Sequence, residues 1–425
     1  MTVPFSPTAP APSAEGCNRD CLAVFTNRDR LRRELEEVAG LPRALLESRP
    51  HLFSDAAMFV SESDVRRMGE LAAAVETVVA APGYRTAALA WAPPIAALDP
   101  GTPGAFLSYD FHLTTDGPRL IEINTNAGGA LLGAALARAQ DRCCPGMGRP
   151  ATGLDDGEDV IFAMFQAEWQ SRNGTRPLAR VAIVDDDPAG QFLYPEFLLF
   201  QRLFANRGVE ALVADAGELG VENGALWCRG HRVDMVYNRL VDFSLADDRH
   251  AALRAAYVEG LAVVTPHPRA HALFADKRNL ALLADAAQLR AWNVAEETVG
   301  ILLDRIPATE IVRPENAERL WRDRNRLFFK PATGYGSRAA YRGDKITRRV
   351  WADILAGTYV AQALVPPTER RVRLDDALVP LKCDLRAYAY RGRIQMLVAR
   401  LYQGQTTNLK TPGGGLAAVF VAEGS

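Results

Sequence analysis

Glu122 and Asn124 stand two apart at the end of a short apolar run, Leu120-Ile121-Glu122-Ile123-Asn124, which Thr125-Asn126-Ala127-Gly128-Gly129 brings to a stop. Strand side chains alternate with period two, so the carboxylate and the amide fall on one face. Hard oxygens side by side at a strand end suit Mg²⁺. Tyr109-Asp110-Phe111-His112-Leu113 reads as the preceding strand, joined through the polar turn Thr114 to Pro118, and Asp110 supplies a third oxygen. The same residues also fit an ordinary buried strand running into a glycine turn, with Glu122 held by an arginine.

A second set lies near the other end of the chain. Leu327-Phe328-Phe329-Lys330-Pro331 is expected to form a strand with one lysine at its end, followed by Ala332-Thr333-Gly334-Tyr335-Gly336-Ser337-Arg338. A glycine-rich loop after a strand lets backbone N–H groups approach phosphate oxygens. The order differs from the Walker pattern, because the lysine precedes the glycines. Ala339-Ala340-Tyr341 returns as a strand, giving a strand–loop–strand flap. Thr358 to Val365, with Gln362 within it, reads as a strand able to offer backbone groups to an adenine edge. Leu381 to Tyr390 and Ile394 to Arg400 form a hairpin around Arg391-Gly392-Arg393, carrying Lys382, Asp384, Arg386 and Arg400. Asn408 and Gly413-Gly414-Gly415 follow.

Lysine usage sets this half of the chain apart. Of 49 basic residues only five are lysine, Lys277, Lys330, Lys345, Lys382 and Lys410, and all lie beyond residue 276. Arginine serves everywhere else, so the lysines mark places where a compact charge on a flexible stem is needed, as phosphate binding requires.

These groups need a scaffold, and 425 residues allow two or three domains with full cores. A net charge of −2 argues against a general nucleic-acid or membrane-surface binder. No apolar run approaches the about 18 residues of a membrane span. Residues 1–16, rich in Pro, Ala and Ser, lack the pattern of a signal peptide, so a disordered leader and a cytoplasmic protein are expected. The six cysteines show no zinc-ligand spacing and read as reduced thiols.

Residues 17 to about 90 read as helical, over Arg28 to Leu46 and Glu62 to Val79, with Phe53-Ser54 and Ser61 as N-caps. Ala130 to Gln140 follows the Gly128-Gly129 turn as a helix whose N-terminus is free to hold an anion. A linker at 145–158 precedes a helix from Val160 to Trp169. Beyond it, strands at Val181–Val184, Val209–Val213, Val233–Arg239 and Leu261–Thr265, with a helix from Tyr194 to Arg207, predict a doubly wound parallel sheet. Asp185-Asp186-Asp187 reads as a solvated loop. Asn238, Arg239 and Asp242 sit at a strand's C-terminal end, where open α/β sheets bind ligands, and are candidate substrate contacts.

Taken together, residues 277 to 415 resemble the ATP-grasp superfamily through Lys277, Lys330 before its glycine flap, the Tyr359–Val365 hinge strand, Asp384-x-Arg386, Arg400, Asn408 and the Gly413–Gly415 loop. In most such enzymes a Glu-x-Asn strand comes next. Here it comes early, at Glu122-Ile123-Asn124, an order similar to the circularly permuted arrangement of glutathionylspermidine synthetase and eukaryotic glutathione synthetase. Ser108 and Asn126-Ala127-Gly128-Gly129 depart from the glutathionylspermidine synthetase pattern, which leaves the acyl substrate open.

The resemblance implies an α/β (α+β) ATP-grasp fold, circularly permuted, with a doubly wound parallel-sheet substrate domain and an N-terminal helical segment. Its units would be a leader (1–16), a helical segment with the metal-binding strands (17–150), an α/β domain (175–275) and a nucleotide-binding domain (276–425). It implies an ADP-forming carboxylate–amine ligase acting through an acyl phosphate, with small-molecule acid and amine substrates. ATP would be held by Lys277, Lys330, Gly334, Tyr335, Gly336, Ser337, Gln362 and Lys382. Two Mg²⁺ would lie on Asp110, Glu122 and Asn124. Arg386, Arg400 and Asn408 would serve catalysis, with Gly413 and Gly414 near the substrates, and ligases of this kind are often homodimers. A phosphotransferase, for which His112 is the one histidine near the metal, and a non-catalytic nucleotide-binding protein are the competing outcomes.

Overall fold

The last long strand, Gly415–Val421, shows why the centre of the molecule forms where it does. Its run Leu416-Ala417-Ala418-Val419-Phe420-Val421 is buried at every position. Leu416, Ala418 and Phe420 enter one hydrophobic cluster, and Ala417, Val419 and Val421 enter another. A strand apolar on both faces belongs inside a sheet covered on both sides. The helix Glu62–Ala80 covers one face with Met68, Leu71, Val75 and Val78. The helices Ala130–Cys143 and Gly157–Asn173 cover the other with Leu132, Leu136, Ile161 and Phe165. The computed structural model describes residues 13–20, 28–143, 149–151, 157–334, 339–374 and 377–422.

This central sheet has eight strands, in the order Met58–Val60, Gly415–Val421, Arg393–Tyr402, Ala377–Tyr390, Leu107–Thr114, Gly117–Asn124, with Thr368–Leu374 also paired to Ala377–Tyr390 and Arg149–Pro150 to Gly415–Val421. The early hairpin is therefore inserted beside the late one: Arg386 pairs with Asp110, and Asp110 with Glu122. Positive φ at both Arg391 (49°) and Gly392 (71°) supplies the tight turn that the late hairpin needs.

A second, four-stranded sheet is wholly parallel, in the order Val263–Thr265, Met235–Asn238, Arg180–Asp185, Glu210–Asp215. It is the doubly wound unit expected from the alternation of strands and helices. A third, antiparallel sheet joins Thr309–Ile311, Tyr359–Ala363, Leu327–Pro331 and Tyr341–Arg342. No helix among the described residues is long and apolar enough to cross a membrane.

Several local expectations are corrected. The helix expected over Arg28 to Leu46 is two, Arg28–Ala39 and Arg43–Glu47, because Gly40 takes φ 62° and Pro42 follows. Ser61 does cap Glu62–Ala80, through a capping box with Asp64. Phe53-Ser54 caps no helix; Phe53 bridges to Leu416, and Met58–Val60 is a strand parallel to Gly415–Val421. The expected strand Val233–Arg239 divides, with His231–Val233 in a small three-stranded sheet and Met235–Asn238 in the parallel one. Of the expected leader, residues 1–12 lie outside the described residues, and Ala14–Asp20 is helical. Asp185 in the triple-aspartate turn is buried, and burial raises its carboxyl to about 6.

Candidate active site

Residues of the two ends of the chain line one cavity of about 360 Å³. Asp110, Glu122 and Asn124 come from the early hairpin, and Lys382, Asp384 and Arg400 from the late one. Lys330, Gly334, Gln362 and the Leu364–Pro367 segment come from the third sheet and its connections, and Lys277 from the turn before the helix Arg278–Leu283. Strand alternation brings Arg386 and Arg400 to one face, each two residues from Tyr388 or Val398 of an interior cluster; Arg400 lines the cavity and Arg386, expected to serve catalysis, does not.

Asp110 is the hub of the charged part. Its Oδ1 accepts from Arg386 Nε at 2.8 Å, and its Oδ2 from Arg386 Nη2 and Arg400 Nη2, each at 2.8 Å. Burial alone would push this carboxyl up; the two guanidiniums overcome it and hold it well below the usual carboxylate range. Asn124 Nδ2 donates to Asp110 Oδ2 at 3.1 Å and to Glu122 Oε1 at 3.3 Å. With its nitrogen committed there, the Asn124 oxygen is the atom with ligating capacity.

Asp384 pairs with Arg400 and Thr407 and not with Arg386. It is buried, accepts from Arg400 Nε at 2.5 Å and from Thr407 Oγ1 at 2.5 Å. Arg400 thus bridges two carboxylates, and Arg386 stands behind Asp110, also reaching the Gly128 carbonyl at 3.4 Å.

Lys330 is buried, and its Nζ donates to the Ile121 carbonyl at 2.7 Å and to Gln362 Oε1 at 2.8 Å. Burial lowers its ammonium to about 8, opposed by the carboxylate of Glu122 and assisted by the charge of Lys277. Lys277 Nζ donates to the Gly334 carbonyl at 3.2 Å, so this lysine stands at the root of the glycine flap. Tyr335, Gly336 and Ser337 lie outside the described residues. Lys382 Nζ donates to the Gly404 carbonyl. Of the five lysines, Lys277, Lys330 and Lys382 line the cavity, while Lys345 and Lys410 do not.

Other expected residues are placed elsewhere. Asn408 is exposed and accepts from the Lys410 N–H at 2.9 Å; Thr406 and Thr407 line the cavity in its stead. Gly413 and Gly414 close a turn, the Gly413 carbonyl accepting from Ser54 Oγ at 2.9 Å, and neither lines the cavity. Asn238 accepts from the Leu240 N–H at 3.1 Å, and Asp242 accepts from His250 Nδ1 at 2.8 Å. Arg239 is buried and donates to Asn126 Oδ1 at 2.7 Å, fastening the loop after Asn124 to the parallel sheet. The helix N-terminus after Gly129, expected to be free for an anion, already holds one: Glu196 accepts from the N–H groups of Gly129 at 2.8 Å and Leu131 at 3.1 Å. No local pattern around Glu196 announces this role.

A divalent cation fits this donor set in one way. Among the described residues no group of three His, Cys, Asp or Glu side chains gathers to hold a metal. Mg²⁺, however, is usually held by one or two carboxylates with substrate phosphates and water completing the shell. Glu122 and Asn124 meet that requirement, while the Asp110 oxygens are committed to guanidiniums.

No family model matches the sequence, and no curated protein is similar to it. Solved structures are. A glutathione synthetase-like effector from Globodera pallida is superimposable with a TM-score of 0.55 at 10% identity, over 93% of this chain and 98% of that one. A putative gamma-glutamylcysteine synthetase from Methylobacillus flagellatus gives 0.45 at 10% identity, over 84% and 88% of the two chains. D-alanyl-alanine synthetase A from Vibrio cholerae gives 0.29 at 10% identity, over 56% and 91%. At such identities likeness speaks for the fold, and only the first superposition is close enough to carry it. With the effector matched nearly end to end, the chain shares the fold of that glutathione synthetase-like protein.

Proposed function

We propose that this protein is an ATP-dependent, ADP-forming carboxylate–amine ligase. The observation that carries the reading is the meeting, in one cavity, of Glu122 and Asn124 from the front of the chain with Lys277, Lys330, Lys382 and Arg400 from the back. The insertion of the early hairpin beside the late one supports reading the strand order as a circular permutation. The fold shared with a glutathione synthetase-like effector favours the same chemistry.

In the proposed reaction the substrate carboxylate attacks the γ-phosphorus of ATP, the bond to the β,γ-bridging oxygen breaks, and ADP leaves. An amine then adds to the acyl carbon, the C–O bond to phosphate breaks, and the nitrogen sheds a proton. Such phosphoryl transfer rests on positioning and charge neutralisation. Lys277, Lys330 and Lys382 would hold phosphate oxygens, and Arg400, kept in place by Asp110 and Asp384, would steady the acyl phosphate and its tetrahedral successor. Glu122 and Asn124 would hold Mg²⁺, which when bound neutralises charge across the phosphates. Asp110 would orient the arginines and Asn124.

Calorimetry with ATP, with and without Mg²⁺, on the native protein, Lys330→Ala and Glu122→Ala tests this. Lys330→Ala should weaken ATP in both conditions, and Glu122→Ala should remove most of the Mg²⁺-dependent part. A screen of carboxylic acids with hydroxylamine should then give hydroxamate and ADP. A native protein that binds no Mg·ATP would end the proposal; a phosphorylated product without hydroxamate would favour a phosphotransferase, and binding without turnover a non-catalytic protein.

A further inference from the structure

The segment that follows the Tyr359–Ala363 strand has unusually few backbone groups to give. Within residues 363–367, the Ala363 N–H donates to the Ala308 carbonyl at 2.8 Å and the Leu364 N–H to the Arg326 carbonyl at 2.8 Å. Pro366 and Pro367 have no N–H. Val365 is left as the one residue of this stretch with an amide hydrogen not spent on a described backbone or side-chain acceptor. Residues 363–367 all line the cavity, as does Gln362 of the strand before them.

His112 holds this point. Its Nδ1 lies 2.9 Å from the Val365 carbonyl, a contact that requires Nδ1 to carry the proton and donate. His112 also lines the cavity, two residues along the strand from Asp110. A second tether acts on the same segment from the next residue: the Leu113 N–H donates to Thr368 Oγ1 at 2.9 Å, and the Thr368 hydroxyl donates to the Leu113 carbonyl at 3.0 Å. The five-residue cavity wall is thus pinned from the early hairpin at both Val365 and Thr368, with prolines fixing φ between them.

We infer that His112 is a positioning residue for the nucleobase: by holding the Val365 carbonyl it fixes the direction of the single free amide that this wall can offer to a base edge. The inference rests on the proposed nucleotide site. It assigns to His112 neither phosphoryl transfer nor contact with the phosphates, which the lysines would hold. A base-edge acceptor that meets a preorganised donor costs less freedom on binding than one that must also order the wall.

The test is calorimetric titration of the full chain, in Mg²⁺ buffer, with ATP and separately with inorganic tripolyphosphate, for the native protein, His112→Ala and His112→Asn. Loss of one net hydrogen bond's worth of positioning corresponds to roughly a 3- to 10-fold weakening. His112→Ala should weaken ATP by about that factor and leave tripolyphosphate unchanged, and in turnover it should raise KM for ATP with kcat little altered. Asn can present its Nδ2 near the place of the histidine Nδ1, so His112→Asn should recover part of the ATP affinity. ATP binding by His112→Ala equal to that of the native protein overturns the inference, as does equal loss of both ligands, which would make His112 a structural residue. If the native protein binds neither ligand, the nucleotide site itself is wrong, an outcome distinct from both.

Discussion

The Lys330 ammonium donates to the carbonyl of Ile121, 209 positions earlier in the chain, at 2.7 Å. Ile121 immediately precedes Glu122, so this bond sets the end of the proposed metal-binding strand against the strand that carries the lysine proposed to bind phosphate. The two halves of the site are fastened by the lysine itself.

That lysine gives the first prediction. Burial brings its ammonium down to about 8, so in the free protein its charge is lost as pH rises through that value. With Mg²⁺ saturating the nucleotide, ATP affinity should change little between about pH 7 and 7.5 and fall several-fold by about pH 9.5. Titrations across this range should show the fall in the native protein and little of it in Lys330→Met, which would bind weakly throughout.

Asp110 should matter to stability more than an exposed ion pair does. Asp110→Asn leaves Arg386 and Arg400 buried without their shared carboxylate, a loss of about 3–5 kcal/mol. The folded-state pKa of Asp110 lies below its ordinary value, so this stabilisation is complete above about pH 4 and fades as pH falls through the acid range below it. Urea denaturation at pH 7 and near pH 3 should show the gap between native and variant narrowing on acidification.

Glu196 caps the helix Ala130–Cys143 from another element of the fold. Glu196→Ala leaves buried N–H groups of Gly129 and Leu131 unpaired, at about 1–3 kcal/mol for each. Stability should drop accordingly, and hydrogen exchange at the first turn of that helix should accelerate. Unchanged exchange there would remove Glu196 from the capping role.

Arg370 is fully buried and donates to the carbonyls of Ala57 at 2.9 Å, Cys17 at 3.1 Å and Asn18 at 2.8 Å. It thereby holds the helix Ala14–Asp20 against the strand Thr368–Leu374. Arg370→Met should cost roughly 3 kcal/mol, from lost charge-assisted bonds. Limited proteolysis should release the N-terminal segment first, with Mg·ATP binding by the remaining chain reduced less than its stability.

The sequence by itself determined what local periodicity and single-residue chemistry encode. Alternation puts Glu122 and Asn124 on one face, and the short polar turn brings Asp110 into register opposite Glu122. The concentration of lysine beyond residue 276 pointed to the cavity, where three of the five stand. The strand Leu327–Pro331 that carries Lys330 and the hairpin turning at Arg391-Gly392 were legible for the same reason: their signals lie within a few residues of each other.

Only the tertiary structure decided which partners those groups take. Asp384 pairs with Arg400 and Thr407, the helix N-terminus after Gly129 takes Glu196, and His112 takes the Val365 carbonyl. Such pairs join residues tens to hundreds of positions apart and leave no period in the sequence. They follow from desolvation, since a buried carboxylate, N–H group or guanidinium must find a partner wherever the packing of the sheets brings one within reach.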